Sequence, residues 1–289
     1  MKTILITGIN GFLGSHLAKR LSNDNLVIGL EYNTDDLFRL KDTEFKVYSS
    51  KYQELELLFK ENIFDIIIHT ATIYRQTNES IENLLKTNIL LPIKLFELAQ
   101  KYNVPYFINT DTFFNNPNTS YNYLGEYTLT KRHALEWLKM LQSGTKIINM
   151  KIFHMYGPGD SPSKFVTQII NDLIKNVPQI ELTSGEQKRD FIYIEDIVDA
   201  YSLVIDNLKN QHSSFLEYEV GTGESHSIRE FVTIAAGLIN SNSKLLFGSL
   251  PYREGEMMVS EANNCELVKL GWVSKTNISD GCSKIIPIP

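Results

Sequence analysis

Short apolar runs alternate with amphipathic stretches along the first half of the chain. Thr3-Ile4-Leu5-Ile6-Thr7 is apolar and β-branched at successive positions, the pattern of a strand buried on both faces of a parallel sheet. Ser15, His16, Leu17, Ala18 and Leu21 follow at helical spacing, so a strand, a glycine-rich turn and a helix succeed one another directly. Leu26 to Leu30 predicts a second strand ending at Glu31, and Phe45 to Tyr48 a short third one before a polar turn at Ser49-Ser50-Lys51. Leu55, Leu57, Leu58 and Phe59 mark a helix. Asp65 to His69 predicts another buried strand, running into the small residues Thr70-Ala71-Thr72. Residues 81–102 read as helical, with Pro92 a kink or a fresh start. Tyr106 to Asn109 is a strand ending in Thr110-Asp111-Thr112, and Phe113 to Tyr123, with Pro117 and several asparagines, is a loop. An amphipathic helix carrying Tyr127, Lys131, Ala134, Leu135, Trp137, Leu138 and Leu141 comes next, and Lys146 to Phe153 predicts a further strand.

This order predicts an α/β fold, a Rossmann-type doubly wound parallel sheet, with a smaller C-terminal α/β region. Residues 1–160 are expected to form the dinucleotide-binding domain and 161–289 the substrate-binding region. Segments near 190–222 return to the first domain, with Tyr218 to Gly221 as a candidate strand. A formal charge of −6 and the lack of a sustained Lys/Arg run argue against a nucleic-acid binder. No apolar run is long enough to cross a membrane, and Ile4 to Ile6 is too short for a signal peptide, so a cytoplasmic protein is expected. The two cysteines, Cys265 and Cys282, have no partner at metal-ligand spacing and read as reduced thiols. No His/Asp/Glu cluster calls for a metal.

Three features carry chemistry. In Gly8-Ile9-Asn10-Gly11-Phe12-Leu13-Gly14 the first glycine permits the tight turn. The second lets the backbone approach a pyrophosphate, and the third lets the helix pack on the strand, with the helix N–H groups facing the phosphates. Glu31, twenty residues beyond Gly11, is placed to accept hydrogen bonds from an adenosine ribose and to repel a 2′-phosphate, favouring NAD(H). Ala71 and Thr72 leave room for a cofactor to pass over the sheet edge, where His69 packs or caps rather than catalyses. Tyr127 and Lys131, four apart on one helical face, bring a phenol beside an ammonium, whose charge is expected to favour the phenolate and make it a usable acid or base. Arg189 and Arg253 gain meaning if a diphosphate is bound, because guanidinium forks match phosphate oxygens.

With these residues in view, the chain resembles the extended short-chain dehydrogenase/reductases that act on nucleotide-linked sugars. The likeness runs through Thr7-Gly8-x-x-Gly11-Phe12-Leu13-Gly14, Tyr127-x-x-x-Lys131, Tyr156-Gly157-Pro158-Gly159 and Gly185-Glu186-Gln187-x-Arg189-Asp190-Phe191. Within that group it is most similar to reductases of CDP-4-keto-3,6-dideoxyglucose, through Phe107 to Phe114, Leu182 to Gly185 and the stretch around Asn263. The resemblance implies Tyr127 as the catalytic acid, Lys131 holding the nicotinamide ribose, and a catalytic Ser/Thr at Thr112; a register shifted by two residues selects Thr110, otherwise a cofactor contact. It implies Asn10, Phe12, Leu13, Ser50, Ala71, Thr72 and Phe153 at the cofactor, and His154, Phe165, Arg189 and Arg253 with Thr112 at the substrate. Ser50 stands where relatives carry an Asp that meets adenine, and His154 where they carry an Asn. Phe113-Phe114 replaces the Asp-Glu that follows the catalytic Thr in 4,6-dehydratases, which speaks against dehydration; in the register that selects Thr110, Asp111 supplies the Asp but Thr112 stands in place of the Glu. The implied activity is NAD(P)H-dependent reduction of a 4-keto sugar, a role that favours NADPH. An NAD-retaining 4-epimerase is the alternative, and a non-catalytic dinucleotide sensor one of another class. The family also implies a homodimer through helices around 88–101 and 127–141.

Overall fold

The computed structural model describes residues 1–51, 54–74, 79–115 and 123–286. The chain forms two compact units, one containing 1–117, 122–151 and 201–218, the other containing 152–200 and 219–289. The first unit begins β1 (Thr3–Thr7), α1 (Phe12–Leu21), β2 (Leu26–Glu31), β3 (Lys46–Ser49), α2 (Leu55–Glu61), β4 (Ile66–His69) and α3 (Ile81–Leu85). It continues through α4 (Leu91–Lys101), β5 (Tyr106–Thr112), α5 (Gly125–Leu141) and β6 (Lys146–Ile152). The chain then forms β7 (His154–Tyr156), α6 (Phe165–Ile174), β8 (Gln179–Leu182), β9 (Lys188–Arg189), β10 (Phe191–Tyr193), α7 (Ile194–Asn207) and β11 (Phe215–Val220).

Seven strands make one sheet in the order β11-β6-β5-β4-β1-β2-β3. The ladders β1–β2, β1–β4, β2–β3 and β4–β5 are all parallel. Strand order reverses about β1, so the crevice for a ligand lies at the carboxyl ends of β1 and β4. Ile4–Thr7 and Ile66–His69 are buried along their lengths, which explains why their sequences are apolar runs rather than alternating patterns. One core cluster joins Leu5, Ile28, Ile67 and Phe107 of the strands to Leu58 and Phe59 of α2, Leu95 and Phe96 of α4 and Leu138 of α5. These buried side chains fix α5 against β5.

The helical stretch expected over 81–102 is not one α-helix. Lys86–Leu90 forms a π turn between α3 and α4, and Pro92 lies in the first turn of α4. Proline has no N–H to give the carbonyl of Asn88 four residues earlier, so the α pattern lapses there and restarts. Pro92 is therefore a fresh start, and the widened turn carries a functional-looking side chain, Asn88.

The second unit is built from smaller sheets. β10 pairs in parallel with β7, and β9 joins β12 (His226–Ser227) and β14 (Val259–Ser260). β13 (Lys244–Phe247) pairs with β8, and helices α8 (Ile228–Ile239), α9 (Cys265–Lys269) and α10 (Ile278–Ile285) complete it. Asp190 and Asp196 are hubs here. Asp190 accepts from the backbone N–H groups of Thr222, Gly223 and Ala262, and Asp196 from those of Lys275 and Thr276. The strand expected at Tyr218–Gly221 is the end of β11, and it lies beside β6 in the large sheet.

Candidate active site

The glycine loop lies between β1 and α1. Gly8 has φ +64, and a Cβ there would stand 2.8 Å from the Ala71 Cα. A Cβ on Gly14 would stand 2.1 Å from the Gly8 carbonyl oxygen, so only glycine lets the helix start this close to the turn. Gly11 is the N-cap of α1, with no side-chain cap and no acidic residue in the first turn. The helix thus presents uncapped N–H groups and its positive end with no competing anion, which fits a dinucleotide pyrophosphate.

Asn10 organises the outer edge of this loop. Its N–H donates to Glu31 Oε2 at 3.0 Å, and its carbonyl accepts from Arg39 Nη1 at 3.1 Å. Glu31 Oε1 also accepts from the Tyr32 N–H at 2.9 Å, so the carboxylate is fixed at the end of β2 with lone pairs left for a ribose. Ser50 follows β3 and donates its N–H to the Glu31 carbonyl at 2.8 Å. Leu13 is buried in the core and Phe12 packs edge-on against His16.

At the end of β4, His69 is fully buried. Its Nδ1 lies 2.9 Å from the Thr7 hydroxyl, and its ring stacks on Phe107. Burial first, and then the nearby Lys131 charge, push its imidazole well below the usual range, so it is neutral and structural. Ala71 donates its N–H to Thr7 Oγ1 at 3.2 Å. Asn88, from the π turn, holds the next residues: its Oδ1 accepts from the Ile73 N–H (3.0 Å) and the Thr72 hydroxyl (3.2 Å). Its Nδ2 donates to the Ile73 carbonyl (3.0 Å) and to Thr130 Oγ1 (3.1 Å). Thr130 in turn donates to the Tyr127 carbonyl at 2.7 Å. One buried amide therefore ties the segment after β4 to the helix that carries Tyr127 and Lys131.

Both of those side chains are buried, Tyr127 at 6% and Lys131 at 4% exposure. The Tyr127 ring centroid lies 4.5 Å from that of Tyr74, and the Thr112 side chain acts on the same phenol. Geometry thus brings Thr112 to Tyr127, whereas the Thr110 hydroxyl lies 2.7 Å from that of Tyr201 on α7. The expectation that the ammonium would leave Tyr127 easily ionised is corrected. Burial first, then Tyr74 and Asp111, push its phenol well above the usual range, against a smaller downward pull from the Thr112 hydrogen bond. Burial also lowers Lys131, opposed by the Asp111 charge. Tyr127 is accordingly a proton donor at neutral pH.

Asp111 lies at 3% exposure between these groups and the neighbouring strands. It accepts from the Thr112 N–H (2.8 Å), Asn115 Nδ2 (3.0 Å) and Asn149 Nδ2 (3.0 Å). Tyr74, Asn88, Asp111 and Asn149 are all absent from the set expected from sequence. Of these only Asp111 left a local signal there, its place between the two threonines at a strand end.

Apart from Thr112 on β5, the expected substrate contacts lie in the second unit, as does Phe153, expected at the cofactor. Phe153 is buried and donates its N–H to the Val220 carbonyl at 3.0 Å. His154 opens β7, and burial, then Arg189 and Lys164, hold its imidazole well below the usual range. Phe165 opens α6 and packs on Phe231. Arg189 is 8% exposed, and its guanidinium is held by the Glu256 carboxylate and by the carbonyls of Lys188 and Met257. It does not stand open for a diphosphate as expected, because Glu256 already meets its charge. Arg253 is exposed, three residues before Glu256. The loop expected at 113–123 lies largely outside the described residues, which stop at 115 and resume at 123.

A glycine loop at the switch point of a parallel sheet, with a Tyr/Lys pair one helical turn apart, defines a Rossmann-fold NAD(P)-dependent oxidoreductase of the extended short-chain type. The chain belongs to the NAD dependent epimerase/dehydratase family, whose model matches residues 4–221. It is 33% identical to a CDP-abequose synthase of Salmonella typhimurium, covering 98% of this chain and 97% of that one. To a CDP-abequose synthase of Salmonella muenchen it is 32% identical, covering 99% and 97%. Among solved structures, the UDP-glucose 4-epimerase of Thermus thermophilus in complex with NAD superposes with a TM-score of 0.81 at 20% identity, covering 98% and 97%. That likeness speaks for the fold. No helix of the described residues is long and apolar enough to cross a membrane.

Proposed function

We propose that this chain reduces the C4 keto group of a nucleotide-linked deoxysugar with NAD(P)H, in the biosynthesis of a surface-polysaccharide sugar. The observation that carries the reading is the buried Tyr127/Lys131 pair on one face of α5, with Thr112 buried at the end of β5. The full-length likeness to two CDP-abequose synthases supports a CDP-linked 4-keto-3,6-dideoxy sugar as the substrate.

Bound NAD(P)H supplies the hydride that a ketone carbon accepts. As negative charge gathers on the carbonyl oxygen, Thr112 donates a hydrogen bond to it and Tyr127 gives it a proton. Lys131 balances the phenolate that remains and holds the nicotinamide ribose. Gly8, Gly11 and Gly14 cradle the pyrophosphate, with Asn10, Phe12 and Leu13 forming the rest of the turn. Glu31 takes the adenosine ribose, with Ser50, Ala71, Thr72, Thr110 and Phe153 along the cofactor. Glu31 favours NAD(H), yet Arg39 lies against the same Asn10, so the two coenzymes are to be assayed separately. His154, Phe165 and Arg253 are assigned to the nucleotide sugar. Positioning by these groups supplies much of the acceleration.

A homodimer is part of the reading. The contact is assigned to the helices around 88–101 and 127–141, on which Leu90, Leu129, Trp137 and Met140 are exposed apolar residues. The reaction is placed in the cytoplasm, where Cys265 and Cys282 stay reduced. The 4-epimerase alternative uses the same residues, and Glu31 is the feature that favours it. Incubation with NDP-4-keto-6-deoxy and NDP-4-keto-3,6-dideoxy sugars, with NADH and NADPH in turn, tests the proposal. Stoichiometric coenzyme oxidation with one ketosugar is expected, and no oxidation with any of them would overturn it.

A further inference from the structure

Beyond Thr112 the chain turns back on itself, and the turn is closed by its own polar groups. The Asn115 N–H donates to the Thr112 carbonyl at 2.9 Å, and the Thr112 N–H to Asp111 Oδ1 at 2.8 Å. Asp111 Oδ2 accepts from both Asn115 Nδ2 and Asn149 Nδ2 at 3.0 Å. Asn149 is fixed in turn: its Oδ1 accepts from Asn109 Nδ2 at 2.7 Å, and its Nδ2 also donates to Glu217 Oε2 at 2.8 Å. A polar chain thus ties the inner side of the turn to β6 and β11. On its outer side, Arg132 Nε donates to Asn115 Oδ1 at 3.3 Å.

Asn115 is buried, and both ends of its amide are used. The carbonyl oxygen faces a guanidinium and the NH2 faces a carboxylate, so the two charges polarise the amide in the same sense and strengthen both bonds. Turned over, the amide would set donor against donor and acceptor against acceptor. The turn also orients Thr112. Its Oγ1 accepts from the Phe114 N–H at 3.3 Å, which uses an acceptor side of the hydroxyl and leaves its single proton to be donated.

We propose that Asn115 and Arg132 are positioning residues, a clamp that holds the end of β5, with Thr112, against the helix that carries Tyr127 and Lys131. This deepens the reductase reading and rests on it. Arg132 directly follows Lys131, and Thr130, directly before it, accepts from Asn88 Nδ2 at 3.1 Å. Residues two apart leave a helix on roughly opposite sides. α5 is therefore held from two sides around Lys131, by Asn88 to the segment after β4 and by Asn115 to the turn after β5. A hydroxyl that stabilises charge on a carbonyl oxygen acts only within hydrogen-bond reach of it, and a misplacement of about 1 Å costs about a hundredfold in rate. Asn115 and Arg132 lie outside the glycine loop and the Glu31 edge, so loosening them should slow turnover and spare coenzyme binding.

Arg132→Met keeps the apolar stem of a half-buried side chain and removes the donor, and Asn115→Ala removes the amide. Both are assayed with CDP-4-keto-3,6-dideoxyglucose and NADPH at a temperature where circular dichroism shows them folded. Each is expected to lower kcat at least about tenfold, with KM and the coenzyme Kd from fluorescence titration within about twofold. The double variant should be no slower than the slower single one, because the two act as a unit. Arg132→Lys, which restores a donor at similar reach, should recover most of the loss. Unchanged kcat in folded Arg132→Met, or losses that multiply in the double variant, would overturn the proposal. Amide hydrogen exchange judges the clamp without any turnover. The N–H groups of Thr112, Phe114 and Asn115 should exchange at least about tenfold faster in Arg132→Met than in wild type, and unchanged exchange would overturn it. If wild type reduces no ketosugar, the reductase reading fails while the exchange comparison still decides the clamp. Arg132→Met carries both measurements if Asn115→Ala does not fold.

Discussion

Replacing Asn88 by alanine removes the clamp between the segment after β4 and α5. Asn88 is 1% exposed and makes four hydrogen bonds, to the N–H and carbonyl of Ile73 and to the hydroxyls of Thr72 and Thr130. Each neutral hydrogen bond contributes about 1 kcal/mol net, and a backbone group left buried without a partner costs about 1–3 kcal/mol. Ile73 is half-buried, so water recovers part of that loss. The balance is a destabilisation of about 3 kcal/mol, of the size that moves a urea midpoint without changing the slope. A second effect follows from position. Ala71 lies against Gly8, where an added Cβ would come within 2.8 Å, so a loosened 71–74 segment disturbs the cofactor cradle. Coenzyme affinity, measured by fluorescence titration at a temperature where the variant is folded, should fall about tenfold, or about 1.4 kcal/mol. A variant within about 0.5 kcal/mol of wild type, with unchanged coenzyme affinity, would refute the clamp.

Tyr127→Phe removes the proposed proton donor while keeping the ring against Tyr74. Turnover should fall about 10²–10⁴-fold with coenzyme affinity unchanged, and a variant that keeps its turnover would remove Tyr127 from the mechanism. Acid should weaken the fold through His69 and His154. Burial holds both neutral in the folded chain well below the ordinary histidine value, so below about pH 6.5 the unfolded chain binds the additional protons. Stability is complete above that pH and should fall by about 1.4 kcal/mol per pH unit per histidine as pH drops toward the folded values. Urea unfolding at pH 7.5, 6.5 and 5.5 reads this slope, and His69→Asn should remove about half of it. Equal stability at pH 7.5 and 5.5 would contradict the assignment of buried neutral imidazoles.

Local patterns were readable because local physics produces them. β1, the glycine turn and α1 follow from one continuous run of residues, and the Tyr127/Lys131 pair from helical spacing alone. Spacing shows that a phenol and an ammonium share a face, but not what surrounds them. The burial, Tyr74 and Asp111 that reverse the expected ionisation come from β5 and from the segment after β4. The choice between Thr112 and Thr110 needed the fold too, since it depends on which hydroxyl meets α5 and which meets Tyr201. Asn88 sits in an apolar helical pattern, and its inward position depends on a π turn that Pro92 hints at without specifying. The Asp111–Asn149–Glu217 chain spans three strands, far apart in sequence, that only the sheet order makes neighbours. Arg189 was legible by motif only as a candidate diphosphate ligand, whereas Glu256, which holds it in the second unit, lies 67 residues on with no pattern linking the two.

The central claim is net hydride transfer to a 4-keto sugar. Single turnover of CDP-4-keto-3,6-dideoxyglucose with nicotinamide coenzyme deuterated at C4, followed by mass and NMR analysis of the sugar, tests it most directly. The account predicts one deuterium at sugar C4 for each coenzyme oxidised, with the oxidised coenzyme released. An unlabelled ketosugar and unconsumed coenzyme, together with interconversion of ordinary NDP-hexoses by the same preparation, would contradict it.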